Sequence, residues 1–207
     1  MSEAGARPLR ADAERSVRAI LEAAERVLSA DPGASMEQIA AAAGVARTTI
    51  HRRFAHRQAL IEALASSAAR QLARAVDDGR PDTAPPLVAL HRITANVLEV
   101  KSAWAFALGL PADPGSEAAA VQEDIARRCI FVLERARAEK LIDEAADLDW
   151  VRRVYYALLG ETLHGASGGA GTEPGEGEGE REGEGADTDA LAARLVDTLL
   201  RGAGPRT

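Results

Sequence analysis

Along most of the chain, apolar residues recur at intervals of three and four rather than two, the period of helices with one buried face. Val17, Ile20, Leu21, Ala24, Val27 and Leu28 form a first stripe and predict a helix over about 13–29. Asp31-Pro32-Gly33 stops it. Ser35 can then cap a second, short helix that carries Ile39 and Ala40 and ends before Gly44. A third helix is expected over about 46–53, with Val45, Ile50 and Phe54 spaced to pack inward. A fourth, over 57–78, puts Leu60, Ile61, Leu64, Ala68, Leu72 and Val76 on its inner face. The proline-rich segment 79–86 ends it and marks a domain boundary.

Helical patterns continue over about 87–110 (one long helix or two short ones), 117–140, 148–164 and 187–201. Aromatics make up only 3% of the chain and alternating β-branched runs are almost absent, so the expected fold class is all-α. The expected organisation is a flexible arm over 1–11, a three-helix helix-turn-helix domain over 12–57 and a connecting helix over 57–78. A helical-bundle domain follows over 80–207. Within it, residues 166–186 are rich in Gly and Glu, cannot bury apolar area, and are expected to form a disordered acidic insertion.

The run Gly44-Val45-Ala46-Arg47-Thr48-Thr49-Ile50-His51-Arg52-Arg53-Phe54 carries the chemistry. Gly44 suits a sharp turn between helices, where a left-handed or otherwise crowded backbone is needed. With Ile50 and Phe54 inward, Arg47, Thr48, His51 and Arg52 are left pointing out. Such a face fits a DNA major groove, so double-stranded DNA is the expected partner. The formal net charge of −7 argues against this only until it is located. Between Ala166 and Ala190 eight acidic residues face Arg181 alone, and the rest of the chain is neutral. From Ser35 to Arg57, four arginines oppose only Glu37. The local charge is what phosphates would meet.

These residues resemble the N-terminal domain of the TetR family of bacterial transcriptional regulators. That pattern runs Gly-Val-Ser-x-x-Thr-(Leu/Ile/Val)-Tyr-x-His-Phe, then a basic residue and a leucine, here Arg57 and Leu60. Ala46 replaces the common Ser, His51 the Tyr, and Arg53 the His. The resemblance implies base-edge readers at Arg47 and Thr48, phosphate-directed roles for His51 and Arg53, and backbone contacts from Ser35, Thr49 and Arg57. Arg52 joins them on the outward face. It further implies a ligand-responsive repressor whose C-terminal domain dimerises and senses a small molecule. A helix-turn-helix regulator without an effector, or a helical interaction module that binds no DNA, are the alternatives.

For the effector, His91, Asn96, Trp104, Phe106, Cys129 and Tyr155 are candidate contacts, with Thr94, Phe131 and Tyr156 beside them; core packing is the competing reading of each. The stripes Val151, Val154, Tyr155, Leu158, Leu159 and Leu191, Leu195, Val196, Leu199, Leu200 can pack internally or form a homodimer interface. Dimerisation has a reason, because one helix-turn-helix reads few bases and an inverted repeat offers two half-sites. No metal-ligand spacing, phosphate loop or nucleophile elbow is present, so neither cofactor nor enzymatic activity is expected. Cys129 and His164 supply a nucleophile and a base by type only. With one cysteine, no export signal and no apolar run long enough for a membrane span, the expected location is cytoplasmic.

Overall fold

The computed structural model of the chain describes the backbone of residues 6–167 and 180–205, and the side chains of 12–161 and 187–205. Among the described residues there is no strand, and the helices are α1 (Ala6–Ala30), α2 (Met36–Ala42), α3 (Arg47–Arg53), α4 (Arg57–Asp78), α5 (Pro86–Ala103), α6 (Ala105–Gly109), α7 (Glu117–Ala138), α8 (Leu148–Ser167) and α9 (Glu180–Ala203). The all-α expectation holds.

Two boundaries differ from those expected, and a third, left open between one helix and two, is decided for two. The arm over 1–11 is already helical from Ala6. Pro8 falls in the first turn, where its missing N–H forfeits no hydrogen bond. Residues 1–5 lie outside the described residues. The span 87–110 divides at Trp104, whose backbone leaves helical geometry at φ −129° and ψ 38°. The insertion over 166–186 falls largely on residues 168–179, outside the described residues. At its two ends the expected disorder gives way to helix, since α8 continues through 166–167 and α9 already spans 180–186, so both helices run beyond their apolar stripes.

The chain folds as two compact units, and neither is one continuous stretch. The first takes the residues up to Ala69 together with Trp104–Ala118; the second takes Arg70–Ala103 and the residues from Ala119 onward. The expected domain over 80–207 is therefore interrupted, because α6 and its flanks pack with the first unit.

In the first unit, Ile20, Leu28, Ile39, Ile50, Leu60 and Leu64 are fully buried. The same stripe of α1 carries a carboxylate. Glu25 is buried and accepts hydrogen bonds from the backbone N–H of Phe106 at 2.7 Å and of Ala107 at 3.0 Å. Those amides open α6 and have no acceptor within their own helix. Trp104, at the N-cap, offers no side-chain oxygen, so a residue of α1 caps α6.

In the second unit, α5, α8 and α9 pack around Ala89, Leu90, Val132, Leu133, Ile142, Val151, Leu159 and Val196. The last turn of α4 and the loop after it are each pinned by a side chain. Asn96 Nδ2 donates to the Ala75 carbonyl at 3.0 Å, and Arg135 Nη1 to the Pro81 carbonyl at 2.5 Å. Of the two C-terminal stripes, Val151, Tyr155, Leu159, Leu195, Val196 and Leu199 are buried inside the unit. Internal packing is thus the reading that holds for those residues. Val154, Leu158, Leu191 and Leu200 remain half-buried, and Trp150 is 59% exposed. No helix among the described residues is long and apolar enough to cross a membrane.

Candidate nucleic-acid interface

Local sequence builds this part of the first unit from both ends of α2. Gln38 N–H donates to Ser35 Oγ at 3.2 Å, while Ser35 N–H donates to Gln38 Oε1 at 2.7 Å. This reciprocal capping box satisfies donors that the helix start would leave open. At the other end Gly44 N–H donates to the Ala41 carbonyl and Val45 N–H to the Ala40 carbonyl, at 3.1 and 3.0 Å. Gly44 adopts φ +65°, the left-handed conformation that closes a helix in this way. Space is not the constraint there, since a Cβ on Gly44 would meet nothing within 4 Å. The backbone conformation alone asks for glycine.

From that turn α3 leaves with Ile50 fully buried beneath it and Phe54 buried just past its end. Ala46 at the N-cap makes no side-chain bond, as expected where the common Ser is absent. Arg47, Thr48, His51 and Arg52 are exposed together on the outer face, and Thr49 is half-buried. Arg53 is half-buried as well, and its Nε is buried without a hydrogen-bond partner among the described residues.

Arg57 differs from the rest. Its Nη2 donates to the Pro32 carbonyl at 2.5 Å and its Nε to the Ala34 carbonyl at 3.4 Å. Those donors clamp the turn between α1 and α2. Ser35 is likewise occupied by its capping box, although it lies at the surface.

Sequence reasoning counted Glu37 only as a lone opposing charge. In the structure its Oε1 lies 3.0 Å from Arg47 Nη2 and 3.5 Å from His51 Nε2. A backbone hydrogen bond, then the His51 ring and the Arg47 charge, hold its carboxyl below the ordinary carboxylate range. No simple sequence spacing announces this pair, because it crosses the Gly44 turn between two helices.

Of the six candidate effector residues, Trp104 and Phe106 belong to the first unit, and the N–H of Phe106 is held by Glu25. His91, Asn96, Cys129 and Tyr155 belong to the second. Asn96 is engaged at the Ala75 carbonyl. Tyr155 is fully enclosed, and its Oη lies 2.9 Å from Thr94 Oγ1. Burial pushes the Cys129 thiol up to about 12, which leaves it neutral and a poor nucleophile. The His164 side chain lies outside the described residues. Tyr156 Oη is buried with no hydrogen-bond partner among the described residues, and Arg152 lies 5.5 Å over its ring. An open groove of about 460 Å³ in the second unit has a different lining, including Asp143, Trp150, Val154, Leu158 and Thr198.

Known proteins share this arrangement. The family of bacterial regulatory proteins of the tetR type matches residues 20–64, from the first buried stripe to the start of α4. The HTH-type transcriptional repressor LfrR of Mycolicibacterium smegmatis is 35% identical over 158 residues, spanning 76% of this chain and 79% of LfrR. The crystal structure of LfrR from Mycobacterium smegmatis in complex with proflavine aligns at a TM-score of 0.67 and 30% identity, over 93% of this chain and 98% of that one. FadR of Bacillus subtilis, crystallised with stearoyl-CoA, aligns at 0.67 and 15% identity over 89% and 98%, a likeness of fold alone. A capped helix-turn-helix with a basic outer face, matched at these levels, makes the chain a DNA-binding transcriptional regulator of the TetR family.

Proposed function

We propose that this regulator is a ligand-responsive repressor that binds an inverted-repeat operator as a homodimer. In this reading α3 enters the major groove. Arg47 and Thr48 read base edges, while Ser35, Thr49, His51, Arg52 and Arg53 serve the DNA backbone. The carrying observation is the outer face of α3, where Arg47, Thr48, His51 and Arg52 stand exposed on a helix locked by the Gly44 turn and by Ile50 beneath. Arg57 fits a supporting role better than a free phosphate contact, since two of its donors hold the preceding turn.

Repression and ligand response are inferred from LfrR, which is named a repressor and was crystallised with proflavine. Within the second unit, the geometry best supports effector contacts at the Thr94, Cys129, Tyr155 and Tyr156 cluster. The Tyr156 hydroxyl there, set against Cys129 and Arg152, is a buried polar group that a ligand could engage. Dimerisation is placed on the α8–α9 groove, where Trp150, Val154 and Leu158 leave apolar surface uncovered. An intracellular location follows from binding chromosomal DNA.

The test is a gel shift on the DNA flanking the chain's own coding sequence, with Arg47→Ala alongside and proflavine as the first ligand added. The unmodified protein should shift a defined fragment and release it as ligand rises. Arg47→Ala should lose about 1–3 kcal/mol on that fragment and relax one position per half-site. Failure of the unmodified protein to discriminate any fragment from random DNA would overturn the reading.

A further inference from the structure

Glu37 has no place in the reading just given, yet it touches the centre of the proposed interface. It is the one acidic side chain between Ser35 and Arg57. A single oxygen of it serves both Arg47 and His51, at 3.0 and 3.5 Å. It stands in the first turn of α2, and α2 is held rigidly by its capping box and its left-handed glycine. The carboxylate is therefore placed by backbone that does not move with the side chains it meets. It remains 43% exposed, so it faces the same solvent, and the same approaching DNA, as Arg47.

We propose that Glu37 is a specificity-determining residue of the DNA interface, which orients the Arg47 guanidinium and subtracts charge from contacts that do not depend on sequence. The proposal rests on α3 being the reading helix. Two physical effects follow. Phosphates repel a carboxylate whatever the sequence, so its presence weakens random and selected binding by a common factor and sets affinity, not discrimination. A guanidinium anchored through one nitrogen also keeps its fork in a narrower set of orientations. A base edge that demands two parallel hydrogen bonds gains from this, whereas a phosphate oxygen accepts many approaches. Discrimination rests on this second effect alone, which accounts for an acidic residue within an otherwise basic surface.

The experiment compares the unmodified full chain with Glu37→Gln on two duplexes. One is a sequence selected by the unmodified protein from a random pool, and the other is the random pool itself. Glutamine keeps the size and one acceptor but removes the charge. Each neutralised phosphate changes the logarithmic salt slope by about 0.9 and affinity by roughly threefold over moderate salt. Glu37→Gln should therefore bind random DNA about threefold more tightly, with a slope steeper by nearly one. Its ratio of selected to random affinity should fall about fivefold or more, the low end of what one bidentate base contact supplies. Adding Glu37→Gln to Arg47→Ala should change that ratio far less, because the guanidinium it orients is gone. A ratio within twofold of the unmodified protein overturns the proposal. So does a fall of both affinities by one common factor, which would mean that Glu37 only supports the start of α2. If the unmodified protein selects no sequence at all, the assignment of α3 as the reading helix falls, and the proposal with it.

Discussion

Replacing Glu25 by alanine should cost this protein more stability than any surface substitution, for a reason that can be worked from three bonds. The carboxylate accepts from the N–H groups of Phe106 and Ala107 at 2.7 and 3.0 Å, and from Ser29 Oγ at 3.3 Å. The first two bonds involve an ionised acceptor, a class that contributes about 1.5–3 kcal/mol each. Alanine supplies no substitute. The buried N–H of Ala107 would stay unpaired, while the part-buried N–H of Phe106 can reach water and recover part of its loss. Removing a desolvated carboxylate gives some free energy back. The balance is about 2–3 kcal/mol, or roughly 5–10 °C in melting temperature for a chain of this size. Glu25→Gln retains one acceptor oxygen and should lose about half as much. Hydrogen exchange provides a local readout. Amides at a helix start have no internal acceptor, so protection at Phe106 and Ala107 depends on Glu25 and should vanish in Glu25→Ala. Unchanged protection at these two amides, with a melting temperature within 2 °C, would refute the reasoning.

Part of this was legible without coordinates. Glu25 stands four residues after Leu21 and three before Leu28, on the apolar stripe itself, and an acidic group there must find donors. Its partner was not legible, because the segment Trp104–Ala118 leaves the second unit to pack with α1, and no local pattern in the sequence encodes that excursion. The helix-turn-helix, by contrast, is almost wholly local. Ser35, Gly44, Ile50 and Phe54 each perform in the structure the task that their spacing predicts, since a cap, a left-handed turn and a buried face are set by near neighbours. Only residue type and scarcity mark the effector candidates in the sequence. Type does not say which partner has already claimed a polar group, and Asn96 and Tyr155 are claimed by Ala75 and Thr94.

The same distinction decides between the two readings that the C-terminal stripes leave open. Two amphipathic helices in one chain offer apolar faces to each other before they offer them to a second chain. Leu195, at the centre of the α9 stripe, is 3% exposed within its own unit. A charge placed there would unfold the unit and say nothing about assembly. The surface available for pairing is what α8 and α9 leave over, the side of Trp150, Val154 and Leu158.

That remainder yields a cleaner test of assembly. Val154→Glu puts a carboxylate in the groove without entering the buried core, so it should produce folded monomers by light scattering with unchanged helical circular dichroism. A dimer of undiminished stability would move the interface elsewhere. A last prediction concerns alkali. Burial pushes the Cys129 thiol up to about 12 and raises Tyr155 and Tyr156 as well. In the unfolded chain the thiol titrates near 8.5 and the phenols near 10. Above about pH 9 the native state thus keeps protons that the unfolded chain releases, and stability must fall as pH rises. Lys101, whose pKa burial lowers, acts in the opposite sense, but it is one group against three. The urea midpoint should therefore drop steadily from pH 8.5 to 11. Iodoacetamide at pH 9 should label Cys129 quickly in urea and at least a hundredfold more slowly in the folded protein, since the folded thiolate fraction is about 10⁻³. A flat midpoint together with fast native labelling would show that the thiol and the two phenols are open to water, and the packing of Cys129 against Tyr156 would have to be redrawn.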